Sequence, residues 1–161
     1  MTGVKCIGGC PNEGIEEMPL ELTPRMWSLS SSWDNLPDRI PIEGDKVVIE
    51  SGWNMIFDME TTPDLDSIQI NGKLTILSGK DREIRTHSLW IRAGTLEIGT
   101  ENAPYEDKMY ITLLGDNTEK YWAFTPGIEA GNKNLVVTGT LNMYGLPRDA
   151  KSRLMNTVVP R

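Results

Sequence analysis

The sequence predicts an all-β fold, a β-solenoid of short coils joined by glycine-rich turns, and three observations lead there. Short apolar runs of four to six residues, rich in Val, Ile, Leu and Thr, recur along most of the chain with Gly, Asn, Asp or Ser between them, the composition of strands and turns. No long stretch repeats its apolar residues every 3.6 positions, so any helix is short. Three segments, SIQINGKLTI, LWIRAGTLEI and LVVTGTLNMY, share one plan of strand, glycine and strand.

In chain order, residues 1–24 are rich in Gly, Pro and Glu without apolar periodicity and read as a lead-in segment or the tail of a preceding domain. Residues 25–146 form the β domain, with regular structure starting near Trp27. Strands are predicted at KVVIE (46–50), WNMIFD (53–58), SIQI (67–70), KLTIL (73–77), LWIRAGTLEIG (89–99), YITLLG (110–115) and LVVTGTLNMYG (135–145). Residues 146–155 are the best helical candidate, and residues 147–161 form a C-terminal tail leading to a following domain.

Gly52, Gly72, Gly94, Gly115 and Gly139 are spaced at intervals of 20, 22, 21 and 24 residues. Self-similarity at that period is the mark of a solenoid, with glycine where a turn needs φ > 0 or where backbones crowd. Ile68, Ile70, Leu74 and Ile76 then line one coil, with Leu89, Ile91, Leu96 and Ile98 above them. Ile111 and Leu113 come next, followed by Leu135, Val137, Leu141 and Met143. One coil alone cannot bury its inner face; stacking makes the core continuous. The alternative is an antiparallel β-sandwich, in which Asn71-Gly72 turns a hairpin.

The formal net charge of −7 counts against a duplex nucleic-acid partner, which needs a basic surface. No apolar run is long enough for a membrane span, and MTGVKCIGGC lacks the apolar centre of a signal peptide. Cys6 and Cys10 stand four apart and read either as a small-loop disulfide of a secreted protein or as two idle thiols. Zinc would want more ligands than these and His87, the one histidine.

Each candidate for chemistry has a plainer structural reading. Gly44-Asp45 reads as a turn in which Asp45 caps backbone N–H groups. Asp58, Asp64 and Asp66 are candidate calcium ligands, or solvated turn carboxylates. The run Lys80, Asp81, Arg82, Glu83, Arg85 and His87 is the best grouping for acid–base work, or a solvated face. For an acidic glycan, Arg82, Arg85 and Arg92 are the first choices, because a guanidinium fork suits a carboxylate. Trp53, Trp90 and Trp122 are candidates for a sugar-stacking platform, whereas Trp27 and Trp33 read as a cap on the first coil. GNKN (131–134) and GTENAPY (99–105) do not open a helix and so fail as phosphate cradles.

The ordered set Trp27-Ser28, Trp33, LPDRIPIEGDKVVIESGW, Asp58, LDSIQINGKLTI, LWIRAGTLEIGTENAPY, ITLLG and GNKNLVVTGTLNMYG resembles the G8 domain of fibrocystin-like proteins and of hyaluronan-degrading cell-surface and secreted proteins. The resemblance covers about residues 25–146. It departs from the family after Tyr144-Gly145, where RDAKSRLMNT lacks the expected tryptophan. GWNMIFD and TPDLDSIQINGKLTI are nearer to the fibrocystin-like branch, whose members are large single-span proteins associated with cilia and cell surfaces.

The resemblance implies an extracellular module folded as a short right-handed parallel β-helix, with further repeats following in the parent protein. It implies a non-catalytic binding or structural role toward a glycan or an extracellular protein, with no catalytic residues and no cofactor. The family's other branch implies a piece of a hyaluronan-depolymerising glycosidase. A cytosolic β protein starting at Met1 is the third expectation. An uncovered last coil leads us to expect weak self-association.

Overall fold

The computed structural model describes residues 14–37, 39–116, 118, 123–125 and 128–146. They form twelve strands: β1 (Arg25–Met26), β2 (Lys46–Ile49), β3 (Asn54–Phe57), β4 (Leu65–Ile70), β5 (Lys73–Ile76), β6 (Arg82–Ile91), β7 (Thr95–Ile98), β8 (Met109–Leu113), β9 (Ala123–Thr125), β10 (Ile128–Glu129), β11 (Asn134–Val137) and β12 (Thr140–Met143). A single 3₁₀ turn, Ser30–Ser32, is the helical structure among the described residues. The sequence candidate for a helix lies almost wholly outside them.

The chain is all-β. Apart from β9 and β10, which pair with each other antiparallel, its strands lie in two parallel sheets, visited alternately from β1 to β8. One sheet runs β1-β3-β5-β7-β12 and the other β11-β6-β4-β2, with β8 beside β6. Every pairing within these two sheets is parallel. Asn71-Gly72 is therefore not a hairpin turn: it carries the chain from β4 in one sheet to β5 in the other. Parallel neighbours cannot be joined by a two-residue turn, and here each return path runs through the opposite sheet.

Register explains the apolar pattern. Val47, Ile68, Leu89 and Leu135 align across one sheet, as do Ile49, Ile70, Ile91 and Val137. Met55, Leu74, Leu96 and Leu141 align across the other, with Phe57, Ile76, Ile98 and Met143 beside them. The first three members of each column are buried in the shared core. Each such side chain contributes about 1.5–3 kcal/mol on burial.

Three of the five expected glycines form a second column, at the corner between the sheets. A Cβ on Gly94 would clash with the Gly72 carbonyl oxygen and lie 2.7 Å from the Asn71 carbonyl carbon; one on Gly139 would clash with the Gly94 oxygen. Crowding, not positive φ, selects glycine there. Gly52 and Gly115 are different, with φ of +85° and +105°. Gly52 lies in a longer corner of four residues between Ile49 and Asn54, and Trp53 backbone takes the place below Gly72. Gly115 follows β8 and closes no coil. β8 and β11 both pair with β6, so they share one tier. The step from Ser88 to its partner Asn134 is thus 46 residues, against 21 from Ser67 to Ser88. The expected separate coil at Ile111 and Leu113 is corrected accordingly.

The two ends of the stack differ. At the N-terminal end Trp27 meets Trp33 edge to face at 4.8 Å and Phe57 at 5.2 Å. The Trp33 indole N–H donates to the Trp27 carbonyl at 2.9 Å. Both tryptophans are fully buried, as the cap reading requires. The Asn35 amide donates to the Val48 carbonyl at 3.0 Å, occupying a backbone acceptor of the outermost strand of its sheet. At the other end Leu135, Val137 and Met143 are 40%, 44% and 61% exposed.

Candidate functional site

The charged side chains singled out from sequence gather on and around β6, the longest strand. Glu83, Arg85 and His87 alternate with the buried Ile84 and Thr86, the period of a half-buried strand. The Arg85 Nε donates to Asp64 Oδ1 at 2.6 Å, and its Nη1 donates to Glu83 Oε1 at 3.2 Å. Glu83 Oε1 also accepts the Thr112 hydroxyl at 2.5 Å. One guanidinium thereby links the start of β4, β6 itself and, through Glu83, β8.

Arg82 does not share that face. Its residue is buried, its Nη1 donates to the Met59 carbonyl at 2.5 Å and its Nε to the Leu77 carbonyl at 3.3 Å. It ties the loops before β4 and β6 to the strand. Arg92 lies beyond the end of β6 with its guanidinium 4.8 Å from the Trp90 ring centre. Trp90 is 3% exposed, and its indole N–H donates to the Thr138 hydroxyl at 3.0 Å. Stacking of a sugar on Trp90 would require Arg92 to move. Trp53 is also buried, between Trp33 and the guanidinium of Arg25, which stands 4.2 Å from its ring. Trp122, Cys6 and Cys10 lie outside the described residues.

The three aspartates proposed for calcium are engaged by different partners. Asp58 accepts the Ser28 backbone N–H at 2.9 Å and its hydroxyl at 2.5 Å. Asp64 pairs with Arg85, and Asp66 stands 3.7 Å from the Lys46 ammonium. Among the described residues no three His, Cys, Asp or Glu side chains are grouped to hold a metal ion. Asp45 accepts the Ile42 N–H at 2.8 Å and pairs with Arg39, which is the turn-capping role read from Gly44-Asp45.

Two arrangements escaped the sequence reading. Arg25 makes a two-point pair with Glu21, at 2.7 Å for both bonds, and reaches Asp34 at 2.8 Å and the Ser32 carbonyl at 2.9 Å. It borders an open recess of about 620 Å³ at the capped end. The four-residue Glu21-Arg25 spacing was a signal for that pair. Asp107 accepts the Gly79 N–H at 2.7 Å and the Ser78 hydroxyl at 2.9 Å, a contact between distant loops that local sequence does not announce.

These partners set the carboxylates' charge. Asp64 is held below its ordinary pKa by the Arg85 hydrogen bond, Asp45 by that of Arg39, and Asp107 by the Gly79 N–H and then the Ser78 hydroxyl. A carboxyl whose folded pKa is depressed stabilises the fold above its unfolded value of about 4, and that contribution fades as pH falls through the folded value. Stability measured by urea unfolding is therefore expected to hold from pH 7 to about pH 5 and to drop below about pH 4. Asp45→Asn should flatten that drop; an unchanged acid slope would remove Asp45 from the account.

Residues 32–155 match the G8 domain family, a stretch running from the cap through β12. The chain belongs to the G8 domain family. This G8 domain is 36% identical over 123 residues to fibrocystin of Canis lupus familiaris and 36% identical over 124 residues to fibrocystin of Mus musculus. It is 33% identical over 127 residues to fibrocystin-L of Mus musculus. These alignments cover 74%, 75% and 76% of the chain and 3% of each relative. The G8 domain thus spans a small fraction of the curated relatives it matches. No solved structure matches it. Among the described residues no helix is long and apolar enough to cross a membrane.

Proposed function

We propose that this G8 domain is a non-catalytic structural and binding module on the extracellular side of a large fibrocystin-like cell-surface protein. Its two parallel sheets are the walls of a short right-handed parallel β-helix. Alternation of the chain between the two sheets from β1 to β8, and again from β11 to β12, supports that architecture, and the strong right-handed preference of parallel crossovers supports its hand.

The observation that carries the functional reading is how the prominent charged side chains are used. Arg82 holds two loop carbonyls, Arg85 couples Asp64 and Glu83, and Asp58 secures Ser28 of the cap. Their chemistry is directed at the coil's own framework. The ligand classes that suit it are an acidic glycan, whose carboxylate would compete with Asp64 for the Arg85 fork, or an extracellular protein. The exposed last tier supports weak self-association.

The test is incubation of the purified domain with high-molecular-mass hyaluronan at neutral and mildly acidic pH, with and without calcium. Chain length read on a gel is expected to stay unchanged. Shortening that disappears in Arg85→Ala would replace this reading with that of a hyaluronan-depolymerising protein.

A further inference from the structure

We infer that Gly115–Lys133 is an insertion grafted into one strand of an otherwise continuous coil, and that the coil folds without it. Register carries the argument. On β6, Thr86 pairs with Leu113 and Ser88 with Asn134. Only one position, that of His87, separates the two pairings, and the Leu114 N–H already bonds the Thr86 carbonyl at 2.9 Å. Leu114 therefore occupies the place opposite His87, and joining it directly to Asn134 would make β8 and β11 one strand in unbroken register. The piece left over is 19 residues.

The neck of this piece is built as an exit and a return. Gly115 and Gly131 have φ of +105° and +84°, the left-handed backbone that glycine adopts without strain. The Asn132 amide donates to the Asp116 carbonyl, closing the base across the two arms. The Asn134 amide donates to the Gly131 carbonyl at 3.2 Å. Above the neck, β9 and β10 pair with one another in a two-stranded antiparallel sheet apart from both walls of the coil. An excursion closed on itself at adjacent ladder positions adds chain without adding a tier, and surface excursions of that length are tolerated by the scaffolds that carry them.

Two deletions test this. Excision of residues 115–133 joins Leu114 to Asn134 in register. Excision of residues 114–133 shifts β11 by one position, and a one-residue slip turns every side chain of a strand to its other face. The first variant is expected to give a single cooperative thermal transition with a midpoint within about 5 °C of the parent, and the second to lose at least about 10 °C or fail to fold. Failure of the first variant to fold, or equal midpoints for the two, would overturn the inference.

Discussion

Gly94→Ala is expected to destabilise the domain by about 3 kcal/mol or more, the largest effect of alanine at any glycine of the corner column. The added methyl has no room: it would clash with the Gly72 carbonyl oxygen and approach the Asn71 carbonyl carbon and oxygen at 2.7 and 2.9 Å. Those are backbone atoms, fixed by the ladder bonds of β4 to β7, and no side-chain rotation relieves them. Gly139 would be displaced in turn, because its own backbone lies against Gly94. Gly131→Ala is the matched control. It has φ of +84° with open space around the new methyl, so it incurs only the left-handed backbone penalty of about 1–2 kcal/mol. Urea unfolding of the two variants separates crowding from strain. Equal losses would mean that the corner column is not a close-packed stack.

Trp27→Ala is expected to cost about 3–5 kcal/mol, the range for deleting a large buried aromatic. Trp27 is fully buried, with Trp33 and Phe57 against its ring, and its loss would leave a void under the first tier. Trp27→Phe is expected to cost far less. The indole nitrogen of Trp27 is buried without a hydrogen-bond partner among the described residues, and an unsatisfied buried donor carries a penalty of about 1–3 kcal/mol. Phenylalanine keeps the apolar ring and removes that donor. If the two variants melt together, the cap depends on the N–H and not on the ring.

The parallel stack was largely legible before the structure. Pairing of Ile68 with Leu89, Ile70 with Ile91, Leu74 with Leu96 and Ile76 with Ile98 follows from the like order of apolar residues around Gly72 and Gly94. The cap was legible because two tryptophans precede KVVIE, the first strand expected from sequence. What misled was counting glycines as if all served one purpose. Gly115 falls at the expected interval, but it opens an excursion, and only pairing with β6 reveals that β8 and β11 belong to one tier. The charged cluster was legible as composition and not as geometry. Arg82, Glu83 and Arg85 are near neighbours in sequence, yet alternation along β6 turns Arg82 toward the core side and leaves Arg85 among surface carboxylates. The partners that decide their roles, Met59, Asp64 and Leu77, arrive from other segments.

The unequal ends of the stack give the domain a direction in time. The sealed end, with its tryptophans, is made first by the ribosome, and each later tier emerges onto a surface that already matches it. Order of synthesis and order of burial coincide, so the growing chain need not wait for its far end before its earliest apolar residues leave water. In the tier that ends the described residues, Leu135, Val137 and Met143 are still exposed to water.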